Sequence, residues 1–156
     1  MAMLLCEEFA EELADWDVKI VAKDVAAEAV EYARNGRYRR AEVNRGLPVR
    51  FLVKYFVRDD EEWEVSPELR ARCEFREADV CAPSAGEERF DLALMRNVLL
   101  FLPAQERAAA FAGVHRQMAP NGVLALGQAE QAEDSTDLFE PEYVQGCSFY
   151  RPVVKS

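Results

Sequence analysis

Short apolar runs that end beside a polar residue alternate with helix-forming stretches in the first part of the chain. Residues 18–22 form a β-branched run followed by Asp24, and residues 26–35 are rich in helix formers and stop before Gly36. A helical spacing of apolar residues over positions 3–14 predicts a helix in front of them. A parallel sheet with crossover helices requires this alternation, so the sequence predicts an α/β fold.

The alternation returns in the second half of the chain. Strands are predicted at residues 74–80, 90–95, 123–127 and 148–154. Pro103 opens a predicted helix that runs to Met118, since proline is favoured in the first turn of a helix. Residues 120–122, Pro-Asn-Gly, predict a turn before the next strand.

Residues 37–72 break this order. Two strand-like runs, 51–57 and 63–65, flank a polar turn, which predicts a β-hairpin. A chain of 156 residues that is 50% hydrophobic can bury one core but is short for two ordinary domains. The sequence therefore predicts one domain over residues 1–156, with a β-subdomain inserted at about residues 37–72.

Charge and hydropathy exclude several classes of protein. A net charge of −10 opposes binding to nucleic acid. No apolar run approaches the roughly 20 residues of a membrane span, and the N-terminus turns acidic too early for a secretory signal. We therefore expect a cytoplasmic protein without membrane insertion. A single histidine and four scattered cysteines predict no metal site.

One basic cluster stands out in this acidic chain. It consists of Arg34, Arg37, Arg39, Arg40, Arg45 and Arg50. Two interpretations of it stay open, since charge runs usually form solvated surfaces but also dock partners of opposite charge. The cluster is therefore either an ordinary solvated face or a docking patch for an acidic protein.

Polar residues follow three of the predicted strands: Asp24, Asp79, and Arg96 with Asn97. In open α/β sheets, ligands bind at the carboxyl ends of the strands. A carboxylate there can accept hydrogen bonds from ribose hydroxyls or an adenine amino group. An aspartate at a strand end is otherwise a helix cap. Taken together and in this order, the residues favour a nucleoside site.

Several segments, in order along the chain, resemble motifs of the chemotaxis receptor methyltransferases, the CheR family. They are Asp24 with Ala29-Val30-Glu31-Tyr32-Ala33-Arg34-Asn35-Gly36-Arg37-Tyr38, Lys54-Tyr55-Phe56, Phe90 to Leu99, Pro120-Asn121-Gly122 with Gly127, and Phe149-Tyr150-Arg151. The resemblance implies a truncated Rossmann-like class I methyltransferase sheet with a small inserted β-hairpin subdomain. It also implies transfer of the methyl group of S-adenosylmethionine to glutamate side chains of chemoreceptors.

The resemblance assigns residues to the cofactor. Asp24 would hold the ribose, and Asp79 with Val80 stands where the family has an Asn-Leu pair beside the adenine. Asn97 is assigned to the cofactor at the next strand end.

A second set falls near the reacting groups. Arg96 would lie near the methyl group and the incoming carboxylate, and Phe101 occupies the position of a family tyrosine, so a hydroxyl is lost. Gln128 replaces the histidine of the family's G-H-S-E motif, while Glu130 keeps its glutamate.

The family's glycine-rich cofactor loop and its helical N-terminal domain precede the stretch matched by residues 2–5, where this chain begins. We therefore expect weak cofactor binding and little or no activity from this chain alone. The alternative is a degenerate, non-catalytic module for protein interaction in signalling. The expected partner is a chemoreceptor or another signalling protein, and unpaired strand edges favour a homodimer or a closed-up sheet.

Overall fold

The computed structural model describes residues 1–82, 88–132 and 135–154. The chain divides into two compact units, Met1–Ala78 and Asp79–Ser156, each with its own buried apolar cluster. Among the described helices, none is long and apolar enough to cross a membrane. The organisation predicted from sequence, one domain with an inserted subdomain, stays a prediction.

The first unit combines five short helices with five strands. The helices are α1 (Ala2–Glu8), α2 (Ala27–Asn35), α3 (Arg40–Val43), α4 (Val49–Tyr55) and α5 (Pro67–Ala71). The strands are β1 (Ile20–Asp24), β2 (Arg37–Arg39), β3 (Phe56–Asp59), β4 (Glu62–Val65) and β5 (Cys73–Glu77). Strands β1 and β5 pair in parallel, with Ile20 opposite Cys73. Strands β2, β4 and β3 form a separate antiparallel sheet in that order.

Helix α2 ends as the sequence predicts and is tied to β5. Gly36 takes the left-handed conformation, with φ 63°, and its amide donates to the carbonyl of Tyr32, which is a common helix stop. Arg34 donates from Nε and Nη2 to the carbonyl of Phe75, at 3.1 and 2.8 Å. Arg70 in turn donates to the carbonyl of Arg34 at 2.8 Å. Two residues of the Ala-Arg-x-Gly stretch, Arg34 and Gly36, thus serve the ending and packing of α2.

The predicted hairpin is present but begins later than expected. Its strands are β3 and β4, joined by a two-residue turn in which Asp60 has φ 52°. The prediction of a strand over residues 51–57 was wrong for most of that run, because α4 covers it as far as Tyr55. Phe51 and Tyr55, four residues apart, are both buried, so their helical spacing outweighed the β-forming composition.

The first predicted helix is also shorter than expected. Helix α1 ends at Glu8, and residues 10–15 form turns. Phe9, which the pattern placed on the apolar face, is 49% exposed. A helix this short is stabilised mainly by burying its apolar face, and that burial stops after the first two turns.

In its described residues, the second unit is a four-stranded sheet with one long helix. Its elements are β6 (Phe90–Met95), the short 3-10 turn Leu99–Phe101, α6 (Ala104–Gln117), β7 (Met118–Leu126), β8 (Phe139–Val144) and β9 (Cys147–Pro152). The strand order is β6-β7-β9-β8. Strands β6 and β7 are parallel and joined by α6, so this half is the predicted strand–helix–strand unit. The pairs β7–β9 and β8–β9 are antiparallel.

Two features of this sheet differ from the prediction. The Pro-Asn-Gly segment at 120–122 lies within β7 rather than in a turn, and the β6–β7 register shifts between Phe90 and Leu92 to absorb it. Strand β8 was not predicted. It joins β9 through Gln145 and Gly146, whose φ angles of 50° and 81° fit a type I′ hairpin turn.

Helix α6 packs closely on the turn that opens the second unit. A Cβ added at Gly113 would lie 2.5 Å from the carbonyl oxygen of Val80. The thiol of Cys81 donates to the carbonyl of Glu106 at 3.5 Å, at the start of the same helix. The absence of a side chain at Gly113 therefore lets α6 approach the backbone of residues 79–82.

We predict that Gly113→Ala lowers the free energy of unfolding by about 1–3 kcal/mol, because the methyl group overpacks against a backbone carbonyl. The gain in helix propensity, about 1 kcal/mol, opposes this loss only in part. Urea unfolding of the full chain measures the effect. Gln105→Ala, at an exposed position of α6, is the control and should change stability by less than about 0.5 kcal/mol. A stabilised Gly113→Ala variant would contradict this packing.

Candidate functional site

Asp24 closes β1 in the first unit and is exposed. Its Oδ1 accepts a hydrogen bond from the amide of Ala26 at 2.9 Å, which is an Asx turn leading into α2. The N-cap residue of that helix is Ala26 itself, not Asp24. One carboxylate oxygen is therefore used by the turn, and Oδ2 has no hydrogen-bond donor within the described part of this unit.

Asp79 repeats this arrangement in the second unit. Its Oδ1 accepts from the amide of Cys81 at 2.8 Å, and its side chain is exposed. Val80 between them is half-buried against the core of this unit. Burial, and next the charge of Asp79, raises the pKa of the Cys81 thiol, so that thiol stays protonated at neutral pH. Asp79 is thus the exposed polar group of this turn, and Val80 packs against the core.

Arg96, Asn97 and Phe101 lie on the segment that follows β6, called here the 96–101 loop. Arg96 is exposed, and Phe101 is 81% exposed, although Leu99 between them is buried. Asn97 has φ 59°, a left-handed conformation that asparagine tolerates better than most residues. Asn97 therefore has a backbone role in this loop, beside any contact with a cofactor.

Glu130 holds the 96–101 loop from inside the second unit. This residue is only 6% exposed. Its Oε2 accepts from the amides of Asn97 at 2.7 Å and Gly127 at 2.9 Å. Its Oε1 accepts from the amides of Val98 at 2.9 Å and Leu99 at 2.8 Å. All four donors are backbone groups, so one side chain satisfies four backbone amides.

These amides also set the ionisation state of Glu130. Burial alone would raise the pKa of this carboxyl, but the hydrogen bonds from Asn97, Gly127, Leu99 and Val98 outweigh burial and lower it. The side chain is therefore a carboxylate at neutral pH. The sequence marked Glu130 only as a retained motif residue, and its structural role was not predicted.

Gly127 completes this arrangement. A Cβ at position 127 would overlap Oε2 of Glu130 and lie 3.3 Å from the amide of Asn97. The amide of Glu130 also donates to the carbonyl of Gly127 at 2.9 Å. The spacing Gly-x-x-Glu at the end of an apolar strand is the local signal that could have indicated a carboxylate folded back onto the strand end.

The structure spreads the predicted site residues over three segments. Arg96, Asn97 and Phe101 share the 96–101 loop, and Asp79 with Val80 forms the turn at the start of the same unit. Asp24 belongs to the first unit. Their roles toward a cofactor or a substrate stay predictions. Within the described residues, no group of three His, Cys, Asp or Glu side chains could hold a metal ion.

The arginine cluster is partly neutralised. Arg37 pairs with Asp59 at 2.5 Å and Glu62 at 3.0 Å, while Arg34 pairs with Glu31 and Arg50 with Glu8.

Arg39 and Arg40 line an open cleft of about 640 Å³ in the first unit. Its other lining residues are Ala41, Asn44, Leu52, Arg58, Glu61, Glu62 and Trp63. Docking of an acidic partner there stays a prediction.

Comparison with known families gives a match over most of the chain. Residues 1–146 match the model of the "CheR methyltransferase, SAM binding domain" family. The chain is 31% identical to chemotaxis protein methyltransferase 1 of Pseudomonas aeruginosa, over 79% of this chain and 45% of that protein. It is 30% identical to chemotaxis protein methyltransferase Cher2 of Pseudomonas putida, over 78% and 45%. The chain thus spans a little under half the length of these relatives.

Two solved structures share the fold of this chain. A TehB-like SAM-dependent methyltransferase from Corynebacterium glutamicum superposes with a TM-score of 0.52 at 17% identity, over 90% of this chain and 70% of that one. The PH0226 protein of Pyrococcus horikoshii superposes with a TM-score of 0.54 at 14% identity, over 94% and 77%. These matches confirm the predicted Rossmann-like α/β fold, and the family match confirms the resemblance read from the motifs.

We predict that Glu130→Gln lowers the free energy of unfolding at pH 7 by about 2–4 kcal/mol, since hydrogen bonds to a charged group are lost. The folded pKa of Glu130 lies below its unfolded value of roughly 4.3. Its contribution is therefore complete above about pH 5 and is lost as the pH falls through the folded pKa. Urea unfolding from pH 3 to pH 8 should show the difference between wild type and variant shrinking in acid.

Glu140→Gln is the matched control for that series, because it removes the same charge from an exposed position of the same unit. It should leave stability nearly unchanged at every pH. A constant difference between wild type and Glu130→Gln down to pH 3 would mean that folding does not lower the pKa of Glu130.

A second prediction separates the backbone role of Asn97 from its side chain. Asn97→Gly should leave stability nearly unchanged, because glycine adopts φ 59° freely. Asn97→Val should cost at least about 1–2 kcal/mol. Urea unfolding measures both. Loss of S-adenosylhomocysteine binding in a stable Asn97→Gly protein would assign the side chain to the cofactor, whereas unchanged binding would leave it only its role in the loop.

Proposed function

The chain belongs to the CheR methyltransferase family, and from this premise we propose that it is the cofactor-binding part of an S-adenosylmethionine-dependent protein-glutamate methyltransferase. The observation that carries the proposal is the match of a SAM-binding-domain model to residues 1–146. The exposed polar groups at the strand ends support it, because they suit the nucleoside end of that cofactor.

The donor and acceptor chemistry of this chain fits the cofactor. Asp24 is exposed and keeps one carboxylate oxygen for ribose hydroxyls, while its other oxygen maintains the turn into α2. Asp79 has the same arrangement and can accept from the adenine amino group. In each case the Asx turn orients the carboxylate before any ligand arrives, which lowers the entropic cost of binding.

The 96–101 loop suits the proposed reaction. The bound cofactor supplies a methyl group on a sulfonium, and a glutamate carboxylate is already ionised at neutral pH. Transfer therefore needs alignment more than a strong base. Arg96 is exposed and permanently charged, so it can pair with the incoming carboxylate. Phe101, on the same loop, offers an exposed apolar ring but no hydroxyl.

The substrate we propose is a chemoreceptor or another signalling protein, modified in the cytoplasm. Support comes from the relatives, which are named as chemotaxis methyltransferases. A further relative, at 27% identity over 76% of this chain and 28% of that protein, is named a probable biofilm formation methyltransferase. The expected homodimer stays a prediction.

A second candidate function is a non-catalytic interaction module. The observation that favours it is Phe101, which stands where the family resemblance places a tyrosine and which is 81% exposed. A module of this kind would bind the cofactor or a signalling protein without transferring a methyl group. Labelled S-adenosylmethionine with a glutamate-bearing receptor fragment separates the two candidates, because only the enzyme moves label to the fragment.

Our prediction for the cofactor site concerns Asp24. Asp24→Ala should weaken binding of S-adenosylhomocysteine at least about tenfold, the cost of losing hydrogen bonds to a charged group. Asp24→Asn keeps an oxygen for the Ala26 amide and should fold like the wild type, yet bind more weakly because the negative charge is gone. Titration calorimetry measures binding, and circular dichroism measures folding.

Glu28→Gln, an exposed acidic residue in the first turn of α2, is the control and should bind like the wild type. If Asp24→Asn binds as tightly as the wild type and Asp24→Ala unfolds, Asp24 serves only the turn. If the wild-type chain shows no binding at all, the proposed function fails for this chain.

A further inference from the structure

The backbone amides around Glu130 form an anion-binding nest that the protein fills with its own side chain. Asn97 has φ 59° and the next residue, Val98, has φ −105° and ψ −50°. Successive left-handed and right-handed residues turn neighbouring amides toward one point. The amides of Asn97, Val98 and Leu99 all donate to the carboxylate of Glu130 at 2.7–2.9 Å.

These hydrogen bonds fall directly after Arg96. Here three consecutive amides are fixed, and the first belongs to the peptide plane that Arg96 shares with Asn97. The position from which the Arg96 side chain departs is therefore set by Glu130. Phe101 lies only two residues beyond the last fixed amide.

We infer that Glu130 is a positioning residue for methyl transfer, because its carboxylate fixes the backbone from which the Arg96 and Phe101 side chains extend. This inference rests on the proposed function. Alignment of reacting groups is sensitive to small displacements, so a loop held at three successive amides suits a reaction that needs alignment. Glu130 is buried and touches the loop backbone, so it acts through Arg96 and not on the substrate.

A first experiment reads the loop without any activity. Amide hydrogen exchange is followed by NMR on the full chain, comparing wild type, Glu130→Gln and the control Glu140→Gln. In Glu130→Gln, exchange at Asn97, Val98 and Leu99 should accelerate at least about tenfold, the equivalent of a lost hydrogen bond to a charged group. Amides within β9 should change much less, and the control should match the wild type.

An added anion tests whether the loss of amide protection comes from the missing carboxylate itself. Glu130→Ala empties the nest, and formate is small enough to enter it. Formate should restore protection of the same three amides, whereas chloride at equal ionic strength should not. Equal acceleration throughout the second unit, or no effect of formate, would mean that Glu130 is only a general stabiliser, and the inference would be overturned. If Glu130→Ala does not fold, Glu130→Gln still gives the exchange result.

A second experiment tests the link to Arg96 through a double-mutant cycle in methyl transfer. Glu130→Gln should lower kcat and leave KM for S-adenosylmethionine within about twofold, as expected when transition-state alignment is lost. Combining it with Arg96→Gln should cost no more than Arg96→Gln alone. Additive losses would overturn the inference while leaving the proposed function intact. A wild-type chain that neither binds the cofactor nor transfers methyl would contradict the proposed function. The exchange data would then still decide whether Glu130 fixes the backbone of the 96–101 loop.

Discussion

The second unit depends on one buried carboxylate. Glu130 sits where two neighbouring parallel strands, β6 and β7, end, and it joins those ends by accepting from amides on both sides. A buried charge without partners would be strongly unfavourable, whereas four backbone donors hold it ionised and in place. Gly127 must lack a side chain for this contact to form, and Asn97 must turn left-handed. One interaction thus constrains the residues at three positions, 97, 127 and 130.

Carboxylates that accept hydrogen bonds from nearby backbone amides also occur elsewhere in the chain, with fewer donors. Asp24 and Asp79 each bend one carboxylate oxygen back to the amide two residues on. In the first unit, Arg34 uses its guanidinium on a carbonyl of β5 instead of on a ligand. Residues that stand out in a motif because they are polar therefore often hold the backbone of a loop. Any functional contact of such a residue is then made by the side-chain atoms that do not bond to the backbone.

Two motif positions that keep the family residue are buried, and two that differ from it are exposed. Gly127 and Glu130 keep the family residue, and both are buried in a contact that tolerates no other geometry. Phe101 and Gln128 differ from it, and both are exposed. An exposed side chain can change without unfolding the protein. The residue type at these two positions can therefore vary while the backbone conformation of the 96–101 loop is kept.

The sequence by itself determined the elements whose signals are local. Strands β1 and β6, helix α2 with its Gly36 stop, and helix α6 after Pro103 were predicted because periodicity and caps act within a few residues. Helix α4 was mistaken for a strand, because its aromatic and β-branched composition hid a four-residue spacing. Strand β8 was missed because Glu140, Pro141 and Glu142 interrupt its apolar pattern at a sheet edge. Only the tertiary structure decided that Glu130 holds the 96–101 loop, since its three donors in that loop lie 31–33 residues away and the local Gly-x-x-Glu spacing indicates only the contact with Gly127.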